Sequence, residues 1–355
     1  MVKKICIIKL GALGDVVRTL PIAKALKAKE KESEIVWVTK ENALGLFEAN
    51  PYVDEVVVIG SDLSDRNAEV HGDDVAPRTP PSLRTLQNLG GFDVLYNFDI
   101  EEEAGELAKE IKADAKFGFY LEEGYPTAFN PEAEYYINTI FDDRLKKENK
   151  KTYQRMMFET AGLVWDESHC ELFLKDDEKK KARAFLKKQG RDEKKRLIGL
   201  HIGASKRWPS KMWHSDNIKE FVEKAVNRGY EVILFAGLDE KDIQKKLVNE
   251  INSRGIKVYT NNPNNSIREF AGLVNECSCI VCGDSFALHV ALALRKKTIG
   301  LFFCTTPHEI EGYGLLRKII AKRLWEVFPE KMDVYDEELV RSISAEKVME
   351  EVEGI

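Results

Sequence analysis

Twice along this chain, short apolar runs of strand length alternate with longer stretches of helical period, and each repetition suffices for one parallel sheet covered on both faces. The first repetition opens with a strand over 4–9, a loop, and a helix from Val16 to Lys29. "EIVWVT" is the next strand, "ENALGLFEAN" a short helix and "VDEVVVI" a third strand, and the alternation resumes with "FDVLYNF", a helix through "EEEAGELAKEIK" and the strand "AKFGFYL". The second is cleaner: strand "LIGLHIG", helix 213–228, strand "YEVILFAG", helix 239–253, strand "IKVYT", helix 266–275, strand "CIVCGD", helix 285–295 and strand "KTIGLFF". A chain of 355 residues exceeds one ordinary core. The expectation is an α/β protein of two doubly wound domains, 1–174 and 175–330, with a Lys- and Glu-rich helix at 176–189 near the seam. Residues 331–355 carry a final helix, Asp336 to Glu353, that lies outside the alternation and is expected to return toward the first domain. Residues 61–82 hold three prolines and show neither period, so they read as a surface excursion, either a binding loop or a tolerated insertion.

Composition removes several classes of function. With 54 Lys and Arg against 60 Asp and Glu, the net charge of −6 offers no basic field for nucleic acid. No apolar run approaches the roughly 18 residues that span a bilayer, and "MVKKICIIKLG" has too short an apolar segment for a signal peptide. A cytoplasmic protein is expected, with at most peripheral contact at the inner face of the membrane. Three of the six cysteines crowd into "CSCIVCGD". Cys277, Cys279 and Cys282 could share a metal, but the apolar run reads better as a buried strand in which Cys is a small hydrophobe, and no second ligand pair lies at a useful spacing. "HEIEGYG" is not a zinc-binding HEXXH motif, because position 312 is Gly. Gly312, Tyr313 and Gly314 suggest a mobile or tightly turned loop.

The residues with chemistry fall just after strands, on the edge where open α/β sheets keep their ligands. In "HIGASKRWPSKMW", the small residues Gly203, Ala204 and Ser205 let backbone N–H groups face an anion, and Lys206 and Lys211 supply positive charge, which together suggest a diphosphate cradle. In "GDSFALHVALAL", Asp284 and Ser285 stand at a helix N-cap and His289 lies one turn further on; either the N–H groups and His289 hold a sugar or phosphate, or the caps are structural and His289 is core. Asp239 and Glu240 follow "VILFAG". In "IIKLGALGDVVRTLPIAKAL", Asp15 sits beyond Gly11, Ala12, Leu13 and Gly14, where a phosphate-binding loop would exclude negative charge. A carboxylate placed there can serve as a general base toward an acceptor hydroxyl, or it can cap the helix that follows. On the first reading the glycines allow close approach of backbone to ligand.

These three motifs, in this order and at these separations, resemble glycosyltransferase family 9, the ADP-heptose:lipopolysaccharide heptosyltransferases, over nearly the whole chain. The resemblance implies a GT-B fold, two Rossmann-like domains facing across a cleft, with an N-terminal acceptor domain and a C-terminal donor domain. It implies inverting transfer without metal or cofactor, with Asp15 as base and Lys206 on the donor phosphate. The family's Asp-Thr-Gly-x-x-His element maps onto Asp284, Ser285, Phe286 and His289, and either Glu240 or Asp239 would contact the nucleoside. ADP-heptose is the family's default donor, and the acceptor is a hydroxyl on a glycan or glycolipid. Two departures stand out: Phe286 replaces the usual Gly, and "TTPHEIEGYG" replaces the usual Gly-Pro-Thr-Asp-Pro run. A catalytically silent nucleotide-sugar-binding or regulatory protein and a nucleotide-sugar epimerase are the alternatives that the two-domain α/β pattern leaves open.

Overall fold

The computed structural model describes residues 2–59, 90–204 and 207–355. The excursion at 61–82 lies outside them, as do Ser205 and Lys206. The chain divides into two units, the first of residues 1–142 and 151–168, the second of 143–150 and 169–355.

The first unit is a sheet of order β3-β2-β1-β4-β5-β6. Its strands are β1 (Lys3–Ile8), β2 (Ser33–Lys40), β3 (Glu55–Ile59), β4 (Phe92–Asn97), β5 (Ala113–Glu122) and β6 (Tyr125–Ala128). All pairs are parallel except β5 with β6. Ile5 to Ile8 on the central β1 are buried on both faces, as a near-continuous apolar run in a parallel sheet requires. The helix expected from Val16 begins earlier and is broken in two: α1 (Leu13–Thr19) and α2 (Pro21–Lys29). Pro21 cannot donate to the turn before it, so it ends one helix and occupies the first turn of the next. Further helices are α3 (Glu102–Glu110), α4 (Pro131–Phe141) and α6 (Tyr153–Thr160), while α5 (Asp143–Glu148), between α4 and α6 in sequence, belongs to the second unit. Gly118 in β5 has φ +91°, and a Cβ there would stand 1.9 Å from the carbonyl oxygen of Asn97, so only glycine fits beside the end of β4.

The second unit repeats the plan with every pair parallel. Its strands β7 (Leu197–His201), β8 (Glu231–Phe235), β9 (Tyr259–Thr260), β10 (Cys279–Gly283), β11 (Lys297–Phe302) and β12 (Leu316–Ile320) run in the order β12-β11-β10-β7-β8-β9. In both sheets the first strand is central, and the direction of winding reverses beside it, between β1 and β4 and between β7 and β10. That reversal is the defining feature of a Rossmann-like unit, and its crevice is where such sheets bind ligands. The helices are α7 (Asp176–Lys188), α8 (Ser215–Asn227), α9 (Lys241–Asn252), α10 (Ile267–Glu276), α11 (Phe286–Ala293), α12 (Leu324–Val327), α13 (Glu337–Arg341) and α14 (Ala345–Glu353).

Two expectations about domain limits need revision. Residues 169–174 are tied to the second unit, where the Leu172 amide donates to the Ala293 carbonyl and the Phe173 carbonyl accepts from Arg268. Arg268 also forks onto Glu178, fixing α7 to α10. The last segment does not form one returning helix. It breaks at 342–344, where Ser344 caps α14 by accepting from the Lys347 amide, and α14 packs on α8 within the second unit. Val348, Met349 and Val352 are fully buried in that core, at roughly 1.5–3 kcal/mol for each large apolar side chain. Trp213 Nε1 donates to the Ile343 carbonyl at 2.9 Å, and Glu346 pairs with Lys224 and Arg228.

Candidate functional site

The Asp15 loop leaves β1 at the reversal point of the first sheet. Asp99, just past β4, accepts with one oxygen, Oδ2, from the amides of Leu10 (3.0 Å) and Gly11 (3.1 Å), and lies 3.4 Å from the ammonium of Lys9. Lys9 also donates to the Phe98 carbonyl at 3.1 Å. Both side chains of this pair are almost wholly buried. Burial alone would lower the Lys9 pKa, but the fields of Asp99, Asp15 and Tyr136 outweigh it and hold the ammonium above its usual range. Asn97 supports Asp99 from below, accepting from its amide and donating to its carbonyl and to that of Phe119.

Ala12 is the N-cap of α1 and no side chain caps it, so the capping role considered for Asp15 is not the one it has. Asp15 stands instead in the first turn, where the helix dipole favours a carboxylate. Its Oδ1 accepts from Arg18 Nε at 3.0 Å and Nη2 at 2.6 Å. Gly14 and Leu13 lie in the same turn, half-buried, and Ala12 is exposed. Around Gly11 no atom of the described residues comes within 4 Å of where a Cβ would be, so the protein's own packing does not demand a glycine there.

In the second unit the candidates come from three adjacent strands. Gly203 and Ala204 follow β7, Glu240 follows β8, and Asp284 follows β10. A Cβ on Gly203 would stand 2.7 Å from the carboxyl carbon of Glu240, so the two are in direct contact. Glu240 Oε2 also accepts from the Gly237 amide at 3.0 Å. Asp239 is exposed. The geometry therefore favours Glu240 of the two acids. Lys211 leaves a short turn at Pro209–Lys211, lies 4.6 Å from the Trp208 ring centre and pairs with Asp284 Oδ2 at 3.1 Å. Gly283 admits that turn, since a Cβ would meet the Lys211 carbonyl at 2.6 Å. Lys211 thus shares its charge with a carboxylate. On the other side of Asp284, His289 Nε2 lies 3.9 Å from Oδ1, with His289 itself buried at 7% exposure.

Ser285 is the N-cap of α11, but its hydroxyl does not cap the helix and lies 3.5 Å from His201 Nδ1. Phe286, where the family usually has Gly, stacks on Phe270, and Phe270 packs edge-on to Phe235 and His201. Desolvation at this aromatic wall pushes the His201 imidazole down to about 4, against the opposing effect of a hydrogen bond with the Gly203 backbone. Because the unfolded histidine takes up its proton near pH 6.5, the stability that a neutral His201 contributes is present above that value and is lost as pH falls from about 6.5 toward about 4. The expected result is that His201→Gln flattens the fall in melting temperature between pH 7 and pH 4.5. A variant that falls as steeply as the parent would place the acid sensitivity elsewhere.

The remaining motifs have structural explanations. Cys277, Cys279 and Cys282 are buried, and burial is the main cause raising all three thiols, Cys279 to about 11. Among the described residues no group of three or more His, Cys, Asp or Glu side chains could hold a metal ion. The 312–314 loop is tightly turned: Tyr313 (φ +50°) and Gly314 (φ +69°) are both left-handed, the Tyr313 hydroxyl lies 3.1 Å from Cys170 Sγ, and Lys318 donates to the carbonyls of Pro307 and Ile310. Sequence reasoning missed Arg18, Asp99, Tyr153 and His201. Asp99 and His201 stand at strand ends and were open to the same rule that found Asp15; Arg18 and Tyr153 became visible only through their contacts.

The profile of "Glycosyltransferase family 9 (heptosyltransferase)" matches residues 136–334. The chain is 22% identical over 330 residues to lipopolysaccharide heptosyltransferase 1 of Campylobacter coli, covering 89% of each protein. Among solved structures it superposes on a glycosyl transferase family 9 protein from Veillonella parvula with a TM-score of 0.76 at 20% identity, covering 99% of this chain and 96% of that one. It also superposes on the ADP-heptose LPS heptosyltransferase II of E. coli, with a TM-score of 0.70 at 16% identity and coverage of 99% and 98%.

Proposed function

From the chain's membership of glycosyltransferase family 9, to which it belongs by sequence and whose GT-B fold it shares, we propose that it transfers heptose from ADP-heptose to a hydroxyl of a lipopolysaccharide-type glycolipid, with inversion and without a metal ion. The observation that carries this reading is positional. The acid of the first unit lies at the winding reversal of its sheet, and Gly203, Glu240 and Asp284 lie at the reversal of the other, on three neighbouring parallel strands. The donor's naming of ADP-heptose comes from the E. coli relative.

In the proposed reaction the acceptor oxygen forms a bond to the anomeric carbon as the bond from that carbon to the diphosphate oxygen breaks. The acceptor's proton passes to Asp15, and the electron pair leaves with ADP. Attack from the face opposite the leaving group inverts the centre. Negative charge grows on the diphosphate, where backbone N–H groups at Gly203 and Ala204, with Lys206 and Lys211, would stabilise it. Lys211 would exchange part of its interaction with Asp284 for the phosphate. Glu240, against Gly203, suits a ribose or base edge as a hydrogen-bond acceptor. Asp284 and His289 suit the sugar hydroxyls. The reaction is assigned to the cytoplasm, with at most peripheral contact at the membrane's inner face. Among the described residues no helix is long and apolar enough to cross a membrane.

A thermal-shift comparison of ADP-heptose with GDP-, UDP- and CMP-sugars tests the donor, since a ligand that prefers the folded state raises the melting temperature. ADP-heptose is expected to give the largest shift and to release ADP when heptose-free lipopolysaccharide is added. A larger shift with another nucleotide's sugar would reassign the donor. Binding without ADP release would favour the silent binding protein.

A further inference from the structure

Asp15 is held in a closed ring of contacts. Arg18, one turn along α1, places both Nε and Nη2 on the same oxygen, Oδ1. Its guanidinium lies 4.0 Å from the centre of the Tyr153 ring. Tyr153 is only 1% exposed, its hydroxyl is 3.2 Å from Thr19 Oγ1, and that hydroxyl donates to the Asp15 carbonyl at 2.6 Å. The ring therefore runs from the Asp15 carboxylate through Arg18, Tyr153 and Thr19 back to the Asp15 backbone.

An ordinary exposed pair three residues apart on a helix is worth only a few tenths of a kcal/mol, about 0.2–0.5, and is loosely oriented. This one differs in two respects. The side chains of Arg18 and Asp15 are 13% and 28% exposed, so solvent screens them less. The guanidinium is also clamped by an immobile aromatic face, which removes much of the rotational freedom that an arginine otherwise gives up on pairing.

We propose that Arg18, seated on Tyr153, is the positioning residue of the base: it fixes the carboxylate by Oδ1, holds it in the orientation that receives the acceptor's proton, and keeps the group ionised. The inference rests on the reading of Asp15 as base. Among the described residues, charged and titratable groups that act on or with Asp15 include Arg18 on its own helix, Lys9 at the end of β1 and Tyr153 on α6, with Asp99 acting on both Lys9 and Tyr153 and Tyr136 acting on Lys9. Asp99 already matches Lys9 at 3.4 Å. Removing Arg18 therefore takes away a cation in direct contact with the carboxylate, and an aspartate that loses such a partner titrates at higher pH.

The test is the pH dependence of kcat for ADP-heptose and heptose-free lipopolysaccharide in four proteins: parent, Arg18→Met, Arg18→Lys and Asp15→Asn. A carboxylate base works when deprotonated, so its rate fades on the acid side. In Arg18→Met that acid limb is expected to move to higher pH, with kcat at the plateau falling roughly tenfold to a hundredfold for a misplaced group and the shift given by ADP-heptose unchanged. In Arg18→Lys the charge remains but the fork and the stacking are lost, so the limb should return toward the parent's position while the plateau stays depressed. If Arg18→Met does not fold, the lysine variant decides: a parental plateau would overturn the proposal. A parental limb and plateau in Arg18→Met would overturn it as well. Asp15→Asn separates the two failures. If it keeps parental turnover, Asp15 is not the base; if it is inactive while Arg18→Met behaves as the parent, only the role of Arg18 falls.

Discussion

Replacing Asp15 by Asn is expected to cut turnover by roughly 10²–10⁴-fold, the range that general acid–base catalysis supplies, while the melting-temperature shift given by ADP-heptose stays at the parental value. The amide retains an oxygen for Arg18 to hold, so the geometry of the turn should persist. What it loses is the capacity to take a proton. Glu240 and Asp284, the acids proposed for the donor side, belong to the other unit, which is why binding of the nucleotide sugar should be spared. Measuring kcat alongside the thermal shift separates the two roles. Parental kcat would remove Asp15 from the chemistry. A lost shift would instead move it to the donor side.

The second large effect is on stability. Asp99→Ala removes one oxygen that serves the amides of Leu10 and Gly11 and the ammonium of Lys9. Lys9 is 4% exposed and cannot reach water without moving the strand end. Breaking a buried ion pair from one side typically costs about 3–5 kcal/mol, because it leaves a charge without compensation. A marked fall in melting temperature is therefore expected, accompanied by lower turnover as the Asp15 loop loosens. The double variant Lys9→Met with Asp99→Leu should recover part of the loss, since it leaves no orphan charge and strands only neutral groups, the amides of Leu10, Gly11 and Glu101 and the carbonyl of Phe98. If the double variant were no more stable than Asp99→Ala, the buried charge would not be the cause.

The fold was legible wherever apolar period and length agreed. In the second unit β7, β8, β10 and β11 follow the sequence pattern closely because they are buried on both faces, and α8, α9 and α10 because each presents one apolar stripe. Legibility failed where tertiary contacts override local period. Pro21 divides a helix that reads as one. "IKVYT" shrinks to Tyr259–Thr260 at the sheet's edge. Helices α5 and α6 and strand β6 are short, and the Lys-rich stretch 146–151 blurs any repeat. Asp15, Gly203, Asp284 and one of Asp239 and Glu240 could be named as candidates because strand ends in open α/β sheets concentrate function. Arg18 could not, since nothing in "GDVVRTLP" marks an arginine that will lie on a tyrosine 135 positions later.

The polypeptide passes between its two units three times, at 142/143, 150/151 and 168/169. Cutting once at the apparent seam would consequently not yield two self-sufficient halves: the upstream fragment would carry away 143–150, and with it Lys150, whose ammonium donates to His308 Nε2 at 2.9 Å. Exchanging the second unit for a relative's would need that octapeptide transplanted too, or the chimera would present an ill-matched surface around Trp325, against which His308 and Lys150 both lie.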